Sequence, residues 1–254
     1  MDLGLRGKKA IITGGTRGIG RAIAEALASE GCDIGLCARG EAAIAPTLEA
    51  LRAKGVAATG AAVDVRDGAA LREWIGAAAG ELGGLDILIA NASGFGLTLD
   101  EAGWRQGFDI DILGTFHAVE AATPLMEASG GGGSIVSISS IAGVEAFGGV
   151  RPYSAVKAAL ITYIGNLANA LAPKNIRANT VSPGTIYFEG GVWQQREREA
   201  PDVFKTAFDA NPMGRMGTAE EVANAAVFLA SPAASFITGT NIIVDGALTR
   251  RVQF

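Results

Sequence analysis

Tyr153 and Lys157 have the residue types and the spacing for acid–base chemistry. Residues four apart on a helix lie on one face, one turn from each other, so a phenol and an ammonium can interact there. A phenol ordinarily titrates near pH ~10 and exchanges protons poorly at neutral pH. A neighbouring ammonium favours the phenolate, and such a tyrosine can move a proton on or off an oxygen atom. The alternative is a surface tyrosine and lysine without chemistry, because the motif is short.

The composition limits the classes of protein to consider. The chain has 254 residues, 49% of them hydrophobic, and we expect a single domain over residues 1–254. It has no run of about 18 apolar residues and no signal-peptide pattern, so we expect a cytoplasmic protein without a membrane partner. A net charge of −5 with no basic block argues against nucleic acid. Cys32 and Cys37 are too few for a disulfide framework, and with His117 as the single histidine we predict no metal site.

A glycine-rich loop follows the first predicted strand. Lys9–Thr13 leads into Gly14-Gly15-Thr16-Arg17-Gly18-Ile19-Gly20, and a helix is predicted over residues 21–28. This layout places backbone N–H groups and the positive end of a helix against phosphate. A tight turn is the alternative, but the position in the first strand–helix unit favours dinucleotide binding.

The second predicted strand, Asp33–Ala38, ends next to Arg39. An acid usually holds the ribose 2′-hydroxyl of NAD at this point. An arginine suits a 2′-phosphate instead, because its guanidinium is a forked, charged donor, and Arg17 can add to it. The sequence therefore predicts NADP(H), with NAD(H) possible. The alternative is a solvated arginine at a strand end.

The alternation of strands and helices predicts a parallel α/β sheet with right-handed crossovers. Further strands are predicted over residues 56–63, 85–90, 134–138, 176–181 and 241–244, and helices over 41–53, 69–82, 102–126, 152–171 and 219–230. Ligands of such sheets bind at the carboxyl ends of strands, where the glycine loop, Arg39, Asp64 and Asn91 fall. Asp64 either accepts a hydrogen bond from an adenine amino group or caps the next helix. The long segment 185–211 is predicted to be a mobile lid.

Several separated motifs occur together along nearly the whole chain. In order, they are Thr13-Gly14-x-x-x-Gly18-x-Gly20, Asp64-Val65, Asn91-Ala92-x-Gly94, Ser140, Tyr153-x-x-x-Lys157, Pro183-Gly184, Gly214-Arg215-Met216, and Thr238-Gly239 with Val244-Asp245-Gly246. The set resembles the short-chain dehydrogenase/reductase family, in the branch whose subunits match this chain in length. The resemblance implies a doubly wound Rossmann fold with seven parallel strands, a nicotinamide cofactor, and a homotetramer or homodimer.

The resemblance also implies roles for individual residues. Tyr153 is the acid/base, Lys157 favours its phenolate and holds the nicotinamide ribose, and Ser140 donates a hydrogen bond to the substrate oxygen. Ser139 is the alternative serine. The implied cofactor contacts, besides Tyr153, Lys157 and Arg39, are Gly14, Thr16, Arg17, Gly18, Ile19 and Gly20 at the pyrophosphate and nearby ribose, Asp64 and Val65 at the adenine, Asn91 and Ala92 at the adenosine-side ribose, and Pro183, Gly184 and Ile186 at the nicotinamide.

Two positions depart from the family pattern. Asp111 stands where the family often has asparagine, in a distorted helix whose backbone carbonyl holds a water of the proton relay. That carbonyl can still hold the water, so Asp111 is included among the catalytic residues, although its carboxylate could alter the helix distortion or the pH profile. Phe188 stands where many members have a threonine that bonds the cofactor. An aromatic ring there either faces the substrate or folds over the nicotinamide.

The function expected from these residues is an NADP(H)-dependent oxidoreductase that interconverts a carbonyl and a secondary alcohol. The substrate is expected to be a small apolar, cyclic or 3-oxoacyl molecule, and Arg151 could meet one carboxylate. The candidate pocket walls are Phe95, Leu97, Val144, Phe147, Phe188 and Trp193. The alternatives are an NAD-dependent alcohol dehydrogenase and a nucleotide-binding sensor without turnover. A sensor has no need of Tyr153 and Lys157 together.

Overall fold

A seven-stranded parallel sheet forms the centre of the molecule. The computed structural model describes residues 2–96, 98–147 and 150–252. The strands are β1 (Lys9–Thr13), β2 (Asp33–Ala38), β3 (Ala58–Ala62), β4 (Ile87–Ala90), β5 (Gly133–Ile138), β6 (Ile176–Pro183) and β7 (Asn241–Val244). Their order across the sheet is β3-β2-β1-β4-β5-β6-β7, and every neighbouring pair is parallel. This confirms the predicted doubly wound α/β fold.

Helices cover both faces of the sheet, as crossovers between parallel strands require. They are α1 (Gly18–Ser29), α2 (Ile44–Arg52), α3 (Gly68–Leu82), α4 (Glu101–Gly107), α5 (Gly114–Ala128), α6 (Pro152–Leu171), α7 (Val192–Glu199), α8 (Pro201–Asp209) and α9 (Ala219–Ala230). Buried side chains of α1, α2 and α9 form one apolar layer with the sheet. Those of α3, α5 and α6 form the other. The central strands β1 and β4 between them are accordingly almost entirely apolar and buried.

The strand order reverses at β1, which lies between β2 and β4. The chain passes from the edge strand β3 across the sheet to β4, which opens a crevice at the carboxyl ends of β1 and β4. The glycine loop follows β1 and Asn91 follows β4, so the topology places both at this crevice. The fold thus brings the glycine loop and Asn91 together at the carboxyl ends of neighbouring strands.

Two regions differ from the predicted elements. The long helix predicted over residues 102–126 is α4 and α5 joined by a π-helical turn, Phe108–Leu113. The spacing of apolar residues alone does not reveal such a turn, because it is a single-turn insertion within a helix that otherwise continues. The segment after β6 contains two short helices, α7 and α8, where a lid was predicted. Proline at the first position of α8 starts a new helix there, because its fixed φ suits a first turn.

One described segment, Pro152–Lys174, is long and apolar enough to cross a membrane by length and composition. A third of its apolar window (33%) is buried within this chain. Core helices pass the same test, and this one is α6 with the short turn after it, packed against β6. Its composition is therefore weak evidence for a membrane span.

Candidate active site

A cavity of about 650 Å³ lies beside the carboxyl ends of β5 and β6. Ser140, which follows β5, and Tyr153, in the first turn of α6, both line it. Gly184 lines it after β6, and residues of α7 and α8 also contribute. The cavity therefore brings together two side chains that the sequence places 13 positions apart.

Tyr153 lies half-buried in the cavity wall. Pro152 begins α6, where its fixed φ suits the first turn and sets the direction of the helix. The Tyr153 ring stacks on Phe95, with centroids 6.1 Å apart and planes inclined by 15°. Phe95 itself has a φ of 61°, a conformation that bulky residues seldom adopt. The Lys157 ammonium lies 5.7 Å from the centroid of the Tyr153 ring, on the same helical face as predicted.

Lys157 is buried beneath the site with its charge compensated. Its Nζ donates a hydrogen bond to the Ile138 carbonyl at 3.1 Å and lies 2.9 Å from Asp111 Oδ1. Both side chains are almost fully buried, at 2% and 1% exposure. Burial alone would lower the pKa of the Lys157 ammonium, but the charges of Asp111 and Tyr153 raise it above its ordinary value. The ammonium is therefore held in its charged form.

Asp111 acts through its side chain, which the sequence argument did not foresee. Its Oδ2 accepts a hydrogen bond from the Gly94 backbone at 2.8 Å, which ties the π-helical turn to the segment after β4. Its Oδ1 contacts Lys157 at an angle outside that of a hydrogen bond, so the contact is an ion pair. The distortion expected at this position persists with aspartate in place of asparagine. The aspartate at position 111, where the family often has asparagine, was the sequence signal that could have suggested an ion pair with Lys157.

The two serines after β5 have different environments. The Ser139 hydroxyl is buried and donates to the Lys157 carbonyl at 2.8 Å, which fastens α6 to the sheet. The Ser140 hydroxyl lines the cavity and accepts a hydrogen bond from the Ala142 N–H at 3.2 Å. The proton of Ser140 therefore stays free to be donated into the cavity. This geometry favours Ser140 over Ser139 as the polar partner of Tyr153.

The glycine loop fits the backbone approach that a dinucleotide requires. A Cβ on Gly20 would lie 2.2 Å from the Gly14 carbonyl oxygen, so only glycine lets α1 begin this close to β1. The Asn91 amide donates to the carbonyls of Thr13 and Gly14 at 3.1 and 3.0 Å. Asn91 therefore braces the loop from β4. Thr16 is buried in the loop and Ile19 is half-buried at the start of α1.

The adenosine end of the crevice carries arginines. Arg39 and Arg17 are exposed, and within the described residues neither guanidinium makes a hydrogen bond or an ion pair. The Asp64 carboxylate accepts hydrogen bonds from Arg66, which lower its pKa below the ordinary value with a smaller contribution from Arg39. The next helix is capped by Asp67, whose carboxylate accepts from two backbone N–H groups, so the expected cap at Asp64 is wrong. Arg66 is a further cation that the sequence argument missed.

The remaining predicted cofactor residues lie around the same crevice. Val65 is buried against α5, and Ala92 donates its backbone N–H to the Thr13 hydroxyl at 3.2 Å. Pro183 ends β6, and Gly184 continues it by donating to the Val244 carbonyl. Ile186 is buried and forms a parallel bridge with Gly217. The structure therefore places the predicted residues at one edge of the sheet.

The Phe188 ring packs against the glycine loop. A Cβ on Gly18 would lie 2.6 Å from its ring, so the ring covers the start of α1. Of the candidate walls, Phe95, Phe147 and Trp193 line the cavity, whereas Phe188 and Val144 are not among its described lining residues. The Val144 carbonyl instead accepts a hydrogen bond from Arg251, and Leu97 lies outside the described residues.

Fold and site together define a nucleotide-binding α/β oxidoreductase, and comparison with known proteins gives its family. A family model described as enoyl-(acyl carrier protein) reductase matches residues 14–249. Isoepoxydon dehydrogenase patN of Penicillium expansum is 37% identical over 261 residues, covering 100% of this chain and 99% of that protein. The chain belongs to the short-chain dehydrogenase/reductase family.

Solved structures agree with this assignment. One is 7α-hydroxysteroid dehydrogenase complexed with NADH and 7-oxo glycochenodeoxycholic acid, with a TM-score of 0.90 and 31% identity, covering 97% of this chain and 96% of that chain. Another is L-sorbose reductase of Gluconobacter frateurii complexed with NADPH and L-sorbose. It has a TM-score of 0.90 and 31% identity, covering 99% of this chain and 100% of that chain. The protein is therefore an NAD(P)-dependent oxidoreductase acting on alcohol and carbonyl groups.

Proposed function

We propose that the protein is an NADP(H)-dependent oxidoreductase that interconverts a small carbonyl compound and its secondary alcohol, with Tyr153 as acid/base. The observation that carries this proposal is the joint presence of Ser140 and Tyr153 in one cavity, with the charged Lys157 buried behind the tyrosine ring. A pure nucleotide sensor has no use for this arrangement. The sensor alternative is therefore the weaker one.

The side chains divide the proton chemistry among them. In reduction, Tyr153 gives its proton to the carbonyl oxygen, and in oxidation its phenolate takes the proton from the alcohol. Ser140 donates a hydrogen bond to the same oxygen and holds it in place. Lys157 stabilises the phenolate by its charge, and Asp111 holds Lys157 in position. The bound nicotinamide supplies or accepts the hydride, so C=O and CH–OH interconvert with balanced charge.

The crevice residues fit a nicotinamide dinucleotide with a 2′-phosphate. The glycine loop and the N-terminus of α1 would hold the pyrophosphate through backbone N–H groups that no side chain caps. Arg39 and Arg17 would hold the 2′-phosphate, and within the described residues neither guanidinium forms a hydrogen bond or an ion pair. Related structures hold NADH or NADPH, so an NAD-dependent enzyme is the second candidate.

The cofactor proposal is tested by comparing binding of NADPH and NADH to the wild type and to Arg39→Ala. We expect the wild type to bind NADPH more tightly, and the variant to lose NADPH affinity by about tenfold, since it loses charged hydrogen bonds to the phosphate. NADH affinity should stay unchanged in the variant, which serves as the internal control. A strong NADH preference of the wild type would overturn the NADP(H) proposal.

The catalytic proposal is tested by NADPH oxidation with a panel of cyclic and aliphatic ketones. Tyr153→Phe keeps the ring and its stacking on Phe95 but lacks the proton, so we expect kcat to fall by about 10²–10⁴-fold. Tyr163→Phe is the matched control, because Tyr163 lies on the same helix and packs in the core. Equal rates of Tyr153→Phe and wild type would contradict the proposal that Tyr153 is the acid/base.

The proposed substrate is apolar or cyclic, or a 3-oxoacyl compound. Apolar side chains supply most of the cavity wall, among them Phe95, Ile141, Val192, Val203 and Leu248, which favours an apolar body. The relatives whose names state a substrate act on ring or sugar compounds, and this range supports a small molecule without fixing its class.

We also propose that the protein forms a homotetramer or homodimer. Aromatic side chains stand exposed on α4, on the π-helical turn and on α5, namely Trp104, Phe108 and Phe116. Only a third of the apolar window of Pro152–Lys174 is buried within one chain. Exposed apolar faces of this extent favour association with a second copy.

A further inference from the structure

The active-site cavity carries two arginines on an otherwise apolar wall. Arg151 immediately precedes α6, and Arg196 lies on α7. The third charged residue among the described lining residues is Asp202, in the first turn of α8. Neither arginine forms an ion pair with Asp202 or any other described acid, so the wall carries a net charge of one positive unit.

Arg196 contacts Trp193. Its guanidinium carbon lies over the indole ring, 4.7 Å from the ring centroid, as in a cation–π interaction. Stacking leaves the N–H groups at the guanidinium edge free, and no described group accepts a hydrogen bond from them. A planar guanidinium with free N–H groups matches an acceptor with two oxygens in one plane.

The two arginines also act on each other. Burial lowers the pKa of Arg196 below its ordinary value, and the like charge of Arg151 lowers it further. Two cations held near one another at an apolar cavity are unfavourable until an anion enters between them. The site is therefore arranged for a ligand that the chain itself does not supply.

We propose that Arg151 and Arg196 bind a carboxylate of the substrate, so that the enzyme acts on an apolar keto acid or the corresponding hydroxy acid. This inference rests on the proposed function, because it places the anion in the cavity that holds Ser140 and Tyr153. A single carboxylate matches the net charge of the wall, whereas Asp202 disfavours a phosphate dianion. The apolar wall takes the body of the substrate.

Binding to the NADP⁺ complex tests the subsite without turnover. The probes are adamantane-1-carboxylate and the uncharged adamantane-1-carboxamide, measured by calorimetry on the wild type and on Arg196→Gln. We expect the carboxylate to bind the wild type at least tenfold more tightly than the amide, because hydrogen bonds to a charged group are the stronger ones. Arg196→Gln should remove this difference by weakening the carboxylate alone.

Arg198→Gln is the matched control, because Arg198 is exposed on the same helix and is not among the described lining residues. It should bind both probes like the wild type. Equal affinity for acid and amide, no binding of either, or equal effects of the two variants would overturn the subsite.

A kinetic measurement separates this inference from the proposed function. The 3- and 4-oxocyclohexanecarboxylates are compared with their methyl esters as substrates for NADPH oxidation. We expect at least one acid to exceed its ester in kcat/KM by about tenfold in the wild type, and the two to become equal in Arg196→Gln. Ester turnover without an acid preference refutes the subsite alone. Selective carboxylate binding without turnover of any ketone refutes the proposed function and leaves the subsite standing.

Discussion

At the level of single residues, the pair of Lys157 and Asp111 determines how the acid/base tyrosine is supported. Burial without an acidic partner would lower the pKa of the Lys157 ammonium and narrow the pH range over which its charge favours the phenolate. The carboxylate of Asp111 prevents this, but it also cancels part of the positive field that reaches Tyr153. Asp111 therefore keeps Lys157 charged, and it also weakens the attraction between that charge and the phenolate of Tyr153.

Replacing Asp111 with asparagine tests this balance. The free energy of unfolding should fall by about 3 kcal/mol, because the substitution leaves a buried charge unpaired. Since Asp111 raises the pKa of Lys157, its stabilising effect is complete below about pH 10.5 and is lost as the pH rises through the higher folded-state value. The destabilisation should therefore be fully present in denaturant titrations at pH 7.

The same variant should shift the pH dependence of alcohol oxidation. With the carboxylate gone, the Lys157 charge acts on Tyr153 without compensation, so the midpoint of the alkaline rise in kcat/KM should move to lower pH. Asp109→Asn is the control, because Asp109 lies in the same π-helical turn and only half-buried. A rise displaced to higher pH would show that Lys157 had lost its charge, contrary to this account.

The sequence predicted which residues meet, but not how their side chains are engaged. Tyr153, Ser140 and Lys157 follow from motif spacing, because one helix and one strand end fix their positions. The ion pair of Asp111 joins residues on separate elements, and the pairing of Asp64 with Arg66 depends on rotamers. Spacing along a chain carries no information on such choices.

At the level of elements, strands and long helices were predictable because they are buried and periodic. β1, β2, β7, α6 and α9 begin and end within a residue or two of the positions expected from sequence. The π-helical turn was not predictable, because it interrupts a periodic pattern. Helices α7 and α8 were not predictable either, because they are short and largely exposed. The unpredicted elements are those that line part of the cavity and carry Asp111.

A charged side chain, Glu221, stabilises the N-terminus of α9. The Thr218 hydroxyl accepts from the Glu221 N–H, and the Glu221 carboxylate accepts from the Thr218 N–H, which forms a capping box. Arg215 adds two hydrogen bonds to the same carboxylate at 2.8 and 2.6 Å. These contacts, with Arg215 contributing most, lower the pKa of Glu221 to about 2. Since α9 packs against α1, the cap supports the helix that begins at the glycine loop.

Glu221→Gln should therefore lower Tm in a pH-dependent way. The carboxylate with a lowered pKa stabilises the fold above its unfolded value of 4.5, and this contribution is lost as the pH falls towards 2. The difference in Tm from wild type should be full at pH 7 and should shrink below pH ~4.5. Glu220→Gln is the control, because Glu220 lies in the same first turn but outside the capping box. A gap that stays constant with pH, or an equal effect of both variants, would contradict the argument.

At the level of the whole molecule, two apolar surfaces among the described residues bear on association between copies. One is the aromatic series of α4, the π-helical turn and α5, where Trp104, Phe108 and Phe116 are 45%, 51% and 42% exposed. The other is α6 with the short turn after it, of whose apolar window only a third is buried within one chain. Because α6 also carries Tyr153 and Lys157, a second copy packed on these helices would restrain the catalytic helix from outside.

Phe116→Asp tests this association. A carboxylate buried in an interface is costly without a partner, so we expect the mass measured by light scattering to halve relative to wild type. Phe116→Leu is the matched control at the same position and should keep the wild-type mass, because it retains apolar area. Far-ultraviolet circular dichroism should be unchanged in both variants, since the Phe116 side chain is substantially exposed in the single chain. A wild type that is monomeric, or a Phe116→Asp variant of undiminished mass, would show that these helices do not hold the copies together.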